Sequence, residues 1–154
     1  MDDKAIFERL FEESGKSKDS RGIVVSCLVR DGEITTIAVS SDDGKSHAEN
    51  IILSGVANVH DGSILYCTLE PCSKRSDPTM MDCVSDIIRV SIKEVVYGAR
   101  DPKQSEVTKT RLNEAGVILR QVEDAEIIKK CAEIFNDSVA PELVGNGVDL
   151  KPLE

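Results

Sequence analysis

The chain reads as one α/β domain, a three-layer α/β/α sandwich around a mixed five-stranded sheet. Three observations predict this. Helical and strand periodicities alternate as α-β-β-α-β-α-β-α-β-α along the chain. Asp31-Gly32 between two β-rich runs is a hairpin signal, so the first two strands are antiparallel. A helical pattern over 106–115 separates the last two strands, and a helical crossover lets strands lie parallel. The expected sheet is an antiparallel hairpin over 23–40 followed by three parallel strands.

Each element follows from its residues. Over 2–14, Ile6, Phe7, Leu10 and Phe11 recur at helical spacing among Glu and Lys, and 15–21 is polar and loop-like. The runs 23–29 and 33–40 are β-branched and bracket Asp31-Gly32. After the loop 40–45, a helix is predicted from 46 to about 59, its apolar Ile51, Leu53, Val56 and Val59 implying burial on the sheet. A short apolar strand covers 64–69. A helix over 79–90 places Met80, Val84, Ile87 and Ile88 on one face. A strand covers 94–99, a helix 106–115 stopped by Gly116, a strand 117–121 and a helix 125–137 with an apolar stripe through Ile127, Cys131 and Phe135. The domain is therefore placed at 1–137. Residues 138–154, with two Pro, two Gly and no period, read as a C-terminal tail.

Composition narrows the function. The 154 residues suffice for one domain with a core. No apolar run approaches a membrane span, and the acidic start predicts no secretory leader. Five cysteines without framework spacing fit a reducing compartment, so a cytoplasmic location is expected. With 28 acidic against 19 basic residues, net charge −9 and few aromatics, an extended nucleic-acid surface is disfavoured and a small-molecule substrate favoured.

Two segments carry chemistry: Ser46-His47-Ala48-Glu49, and Thr68-Leu69-Glu70-Pro71-Cys72 with Cys83 beyond a loop. Zinc prefers nitrogen and sulfur, and a catalytic zinc takes three protein ligands and leaves a position for water. His47, Cys72 and Cys83 form such a set, and Glu49 is the natural proton carrier beside it. Cys27, Cys67, Cys131 and His60 lack ligand spacing to these three, so an open fourth position is the better reading. His60 reads as an exposed loop histidine. Glu49 also completes an S-x-x-E capping box with Ser46, a structural role that competes with catalysis. His47 and Glu49, two apart, share one metal only if His47 sits at the helix start. Lys74 and Arg75 are adjacent cations beside the site and would suit a substrate phosphate, against the plainer reading of a solvated loop. Glu70 is expected to orient this loop or an assembly contact, or to pair with Arg75.

His47-Ala48-Glu49, Pro71-Cys72 and the element order resemble the cytidine and deoxycytidylate deaminase superfamily, whose signature is H-x-E followed by P-C-x-x-C. Thr68-Leu69-Glu70-Pro71-Cys72-Ser73 and Gly98-Ala99-Arg100-Asp101-Pro102 are similar to the pyrimidine deaminase of riboflavin biosynthesis. The resemblance covers roughly residues 20–137. It implies a cytidine-deaminase-like fold, zinc on His47, Cys72 and Cys83, Glu49 as proton shuttle, and an assembly of like subunits, dimer or larger. The loop Lys74 to Asp82 is longer than that subfamily's and acidic near its end. Lys18-Asp19-Ser20-Arg21-Gly22 replaces an Asn-Pro motif, and the expectation is a deaminase domain without that subfamily's usual reductase domain. The expectation is a zinc hydrolase replacing an exocyclic amine of a small pyrimidine-like nucleotide by a carbonyl, either free-standing in that pathway or acting on another aminated heterocycle such as a cytosine nucleotide. A non-catalytic zinc-binding paralogue is the competing reading, and the intact Glu49 speaks against it.

Overall fold

The computed structural model describes residues 1–75 and 77–143. The elements are α1 Asp3–Ser14, β1 Val25–Arg30, β2 Glu33–Val39, α2 Ala48–Leu53, β3 Ile64–Leu69, α3 Cys83–Arg89, β4 Glu94–Ala99, α4 Ser105–Glu114, β5 Ile118–Gln121 and α5 Ala125–Ser138, followed by a 3-10 turn, Pro141–Leu143. This is the predicted order.

The sheet runs β2-β1-β3-β4-β5. β1 is antiparallel to β2 and to β3, whereas β3, β4 and β5 are parallel. Asp31 and Gly32 both take positive φ, 51° and 78°, the backbone a tight two-residue hairpin needs. Strand alternation divides the core in two. Cys27, Tyr66 and Val96 face α1 and α5, where Phe7, Leu10 and Cys131 are buried. Leu65, Cys67 and Val95 face the other way, onto Leu53 of α2, Ile87 of α3 and Leu112 of α4. Helices cover both faces, so the central strands are buried on both sides.

Two helices depart from the sequence expectation. α2 ends at Leu53 rather than near Val59, because Ser54 leaves the helical region and Gly55 turns the chain at φ 79°. Val56 and Val59 still pack on the core, from a loop. α3 begins at Cys83 rather than Thr79. Asp77 captures the intervening segment: its side chain accepts from Thr79 N at 2.9 Å and its carbonyl from Met80 N at 3.1 Å. Such side-chain turns compete with helix. Asp82 then caps α3, accepting from Ser85 N at 2.9 Å.

Of the tail expected over 138–154, residues 144–154 lie outside the described residues. Ser138 belongs to α5 and its hydroxyl accepts from Ile23 N at 2.7 Å, while Ala140 N donates to the Ser20 carbonyl at 2.8 Å. Among the described residues, no helix is long and apolar enough to cross a membrane.

Candidate metal centre and active site

The site forms beyond the carboxyl end of β3, where open α/β sheets place their ligands. β3 delivers Cys72 through Glu70-Pro71, α3 presents Cys83 as its first residue, and His47 is the N-cap residue of α2. His47 is extended, at φ −74° and ψ 150°. That break from helix lets His47 and Glu49 point to one place although they are two residues apart.

His47 Nδ1 lies 3.4 Å from Sγ of Cys72 and 3.4 Å from Sγ of Cys83. All three donor atoms fall within 4.8 Å of one another, the only such group of donors among the described residues. The donor set fits zinc: metal–ligand bonds of about 2.1 Å to nitrogen and 2.3 Å to sulfur in a tetrahedron put N and S roughly 3.6 Å apart. The electrostatics agree. The neighbouring Cys83 thiol and the His47 ring bring the Cys72 thiol down to about 6, against the opposing effect of burial. Cys83 is pushed up by the Cys72 sulfur, by burial and by Glu49. The pair therefore gives up one proton readily and resists losing the second, because a second thiolate would sit against the first and beside a carboxylate. A dication removes that penalty.

The other three cysteines contrast with these. Burial pushes the thiols of Cys27 and Cys131 up to about 12 and that of Cys67 well above the ordinary value. All three are fully enclosed in the two cores. His60 stands exposed in its loop, as expected.

Glu49 does not close the capping box. The start of α2 has no side-chain cap, and Glu49, only 2% exposed, turns toward the sheet. Its Oε1 accepts from Ser26 Oγ at 2.9 Å, and its Oε2 lies 3.3 Å from Cys83 Sγ. Ser26, a polar residue within the apolar run 23–29, was the one sequence signal for this partner.

A cleft of about 280 Å³ opens over these groups. Lys74 and Arg75 both line it. Arg75 is also tied to the protein, donating from Nη1 to Asn50 Oδ1 at 3.0 Å and from Nη2 to the Lys45 carbonyl at 2.6 Å. It makes no pair with Glu70, which instead accepts from Asp101 N and Ser105 Oγ, each at 3.1 Å. Sequence reasoning missed Asp19, Arg21, Lys103 and Phe135 as lining residues. Phe135 reaches the cleft from α5 because residue 22 is glycine: at φ 121° a Cβ there would collide with the ring.

Residues 1–99 match the family model described as the cytidine and deoxycytidylate deaminase zinc-binding region. The chain is 29% identical over 142 residues to the riboflavin biosynthesis protein PYRD, chloroplastic, of Zea mays, covering 88% of this chain and 35% of that protein. It is 31% identical over 90 residues to the diaminohydroxyphosphoribosylamino-pyrimidine deaminase of Schizosaccharomyces pombe, covering 54% and 22%. The chain thus spans about a third or less of the length of these curated relatives. Its fold matches that of the Aspergillus oryzae Rib2 deaminase, a C-terminal deletion mutant, with TM-score 0.68 at 18% identity, covering 96% and 98% of the two chains. The matched region contains His47, Cys72 and Cys83, and zinc is the cofactor. The chain belongs to the cytidine and deoxycytidylate deaminase family, through that family's zinc-binding region.

Proposed function

We propose that this chain is a hydrolytic deaminase that replaces an exocyclic amine of a small pyrimidine-like nucleotide, of the riboflavin-pathway aminopyrimidine type, by a carbonyl, with release of ammonia. The observation that carries the reading is the buried Glu49 carboxylate, whose Oε2 stands 3.3 Å from Cys83 Sγ at the edge of the three-donor group. His47, Cys72 and Cys83 hold the metal. When bound there, the ion would lower the pKa of a water toward about 7.

The protein residues do the rest. Ser26 fixes Oε1 of Glu49, which leaves Oε2 to take the proton from the attacking water. Glu49 then gives that proton to the ring nitrogen as the C–O bond forms. Afterwards it carries the proton of the new hydroxyl to the amine, which leaves as ammonia when the C–N bond breaks and the carbonyl forms. The cleft, with Leu69 and Phe135 as apolar walls, suits a single heterocycle. Lys74 and Arg75, with Arg21 and Lys103 from two other loops, are the cations of a lining that also carries Asp19 and Asp101, and they are the groups that would hold a phosphate. The names of the relatives support a phosphorylated aminopyrimidine. An assembly of like subunits is supported by Ile51, Met81 and Ile88, exposed side chains on α2, before α3 and on α3.

Ammonia release from aminopyrimidines and aminopurines, free and phosphorylated, tests the activity. Turnover confined to a phosphorylated aminopyrimidine is expected, and no ammonia from any pyrimidine would overturn the reading. Metal analysis should find about one zinc per chain, most of it lost in Cys83→Ser. Lys74→Ala with Arg75→Ala should raise KM for the nucleotide about tenfold to a hundredfold and leave the nucleoside unchanged.

A further inference from the structure

Cys72 and Cys83 are eleven positions apart, at the two ends of one loop. Two backbone donors tie these ends from inside: Cys83 N donates to Cys72 Sγ at 3.3 Å, and Val84 N to the Cys72 carbonyl at 3.0 Å. From outside, one guanidinium spans both. Arg111, in the last turn of α4, donates from Nη1 to the Ser73 carbonyl and to Asp82 Oδ2, each at 3.0 Å, and from Nη2 to Ser85 Oγ at 2.9 Å. Ser73 follows the first thiol and Asp82 precedes the second. Asp82 also caps α3, so its orientation sets the direction in which Cys83 leaves the loop.

Other residues of this region act on one end alone. Thr108 Oγ1 donates to the Pro71 carbonyl at 2.9 Å, and Gln104 Oε1 accepts from Ser73 N at 2.7 Å and Lys74 N at 3.0 Å. Among the described residues outside the loop, Arg111 is the side chain with hydrogen bonds to both ends.

We propose that Arg111 is a positioning residue for the metal: it holds the loop closed at the Cys72–Cys83 spacing, so that the thiols are set before zinc arrives. The inference rests on the assignment of His47, Cys72 and Cys83 as ligands. A closed loop has already given up the chain entropy that an open one would lose on binding the ion. A planar fork reaches three acceptors at once, and a lysine ammonium does not reproduce that geometry. Coulomb's law alone predicts the reverse effect, since deleting a nearby positive charge should tighten a dication. Weaker zinc binding in Arg111→Met is therefore diagnostic of positioning.

The test is zinc affinity and release by chelator competition in wild type, Arg111→Met, Arg111→Lys, Asp82→Asn, Arg120→Met and Cys83→Ser, alongside the melting temperature of each metal-free protein. Arg120→Met is the matched control: it removes a guanidinium that ties β5 to Asp3 of α1, at 2.8 Å. Arg111→Met should bind zinc about tenfold to a hundredfold more weakly, the range for losing a hydrogen bond to a charged group. Arg111→Lys should recover only part of that loss. Asp82→Asn, which keeps a helix cap but weakens the tie, should shift the same way by less, and keeps the test open if Arg111→Met does not fold. Arg120→Met should bind zinc as wild type does. Zinc affinity in Arg111→Met equal to the Arg120→Met control, with Cys83→Ser losing its zinc, would overturn the role of Arg111 alone. Zinc retained in Cys83→Ser would instead overturn the ligand assignment on which it rests.

Discussion

Glu49 and Glu70 are equally buried, each 2% exposed, and both line the same cleft, yet their carboxylates are held differently. Glu70 has a protein donor on each oxygen, Asp101 N on Oε1 and Ser105 Oγ on Oε2, so it fastens the end of β3 to the start of α4. Glu49 has the Ser26 hydroxyl on Oε1, while Oε2 lies 3.3 Å from the Cys83 thiol, and the buried Cys67 thiol is also within reach of the carboxylate. One carboxylate has a hydroxyl or amide donor on each oxygen, and the other meets thiols, the weaker donors, on one side, which suits the proton-transfer role proposed for it. Burial does not distinguish these two carboxylates; the partners of each oxygen do.

The sharpest way to break this comparison is to neutralise each group. Glu49→Gln should cost at least about 10²-fold in turnover while leaving zinc content and melting temperature near wild type. Glu70→Gln, which keeps an acceptor for Asp101 N, should stay within a few-fold of wild-type turnover. Equal kinetic losses in the two variants would erase the distinction. Ser26→Ala comes next. Releasing Oε1 of Glu49 should lower turnover by about tenfold through misorientation of a group that remains in place. Steady-state rates with unchanged zinc content check it.

Smaller effects fall on stability. Glu70→Ala leaves Asp101 N and Ser105 Oγ without their acceptor at the end of a buried strand, and should cost about 1–3 kcal/mol in a denaturant titration. Glu49→Gln should show no such loss. The smallest effect is in pH. Burial, opposed by Ser105 and the Asp101 amide, raises the pKa of Glu70 above its ordinary value. The folded protein then holds a proton the unfolded chain has released. Stability from this group is present below the ordinary glutamate pKa and is lost as pH rises through the folded one. Melting temperatures between about pH 4 and 7 should thus fall more steeply with rising pH in wild type than in Glu70→Gln.

The sequence named His47, Glu49, Cys72 and Cys83 as a group because metal chemistry restricts residue type more tightly than any structural role does. The element order and the antiparallel-then-parallel sheet were equally legible, since they follow from periodicity, Asp31-Gly32 and one crossover helix. The lengths of α2 and α3 were not. Apolar periodicity ran past the points where Gly55 and the Asp77 turn take the backbone out of the helix.

What the sequence determined by itself, then, was the kind of chemistry and the succession of elements, because both rest on residue identity and short-range spacing. The tertiary structure alone decided which oxygen of Glu49 is held by Ser26, 23 positions away, and that Glu70 serves Ser105, 35 positions on. It alone brought Arg111 to the Asp82 cap 29 positions before it, and it alone left Arg75 tied to Asn50. These are hydrogen bonds between residues far apart in the chain. Their donors and acceptors carry no periodic signal, and only the packing of α2, α3 and α4 against one face of the sheet brings them within reach.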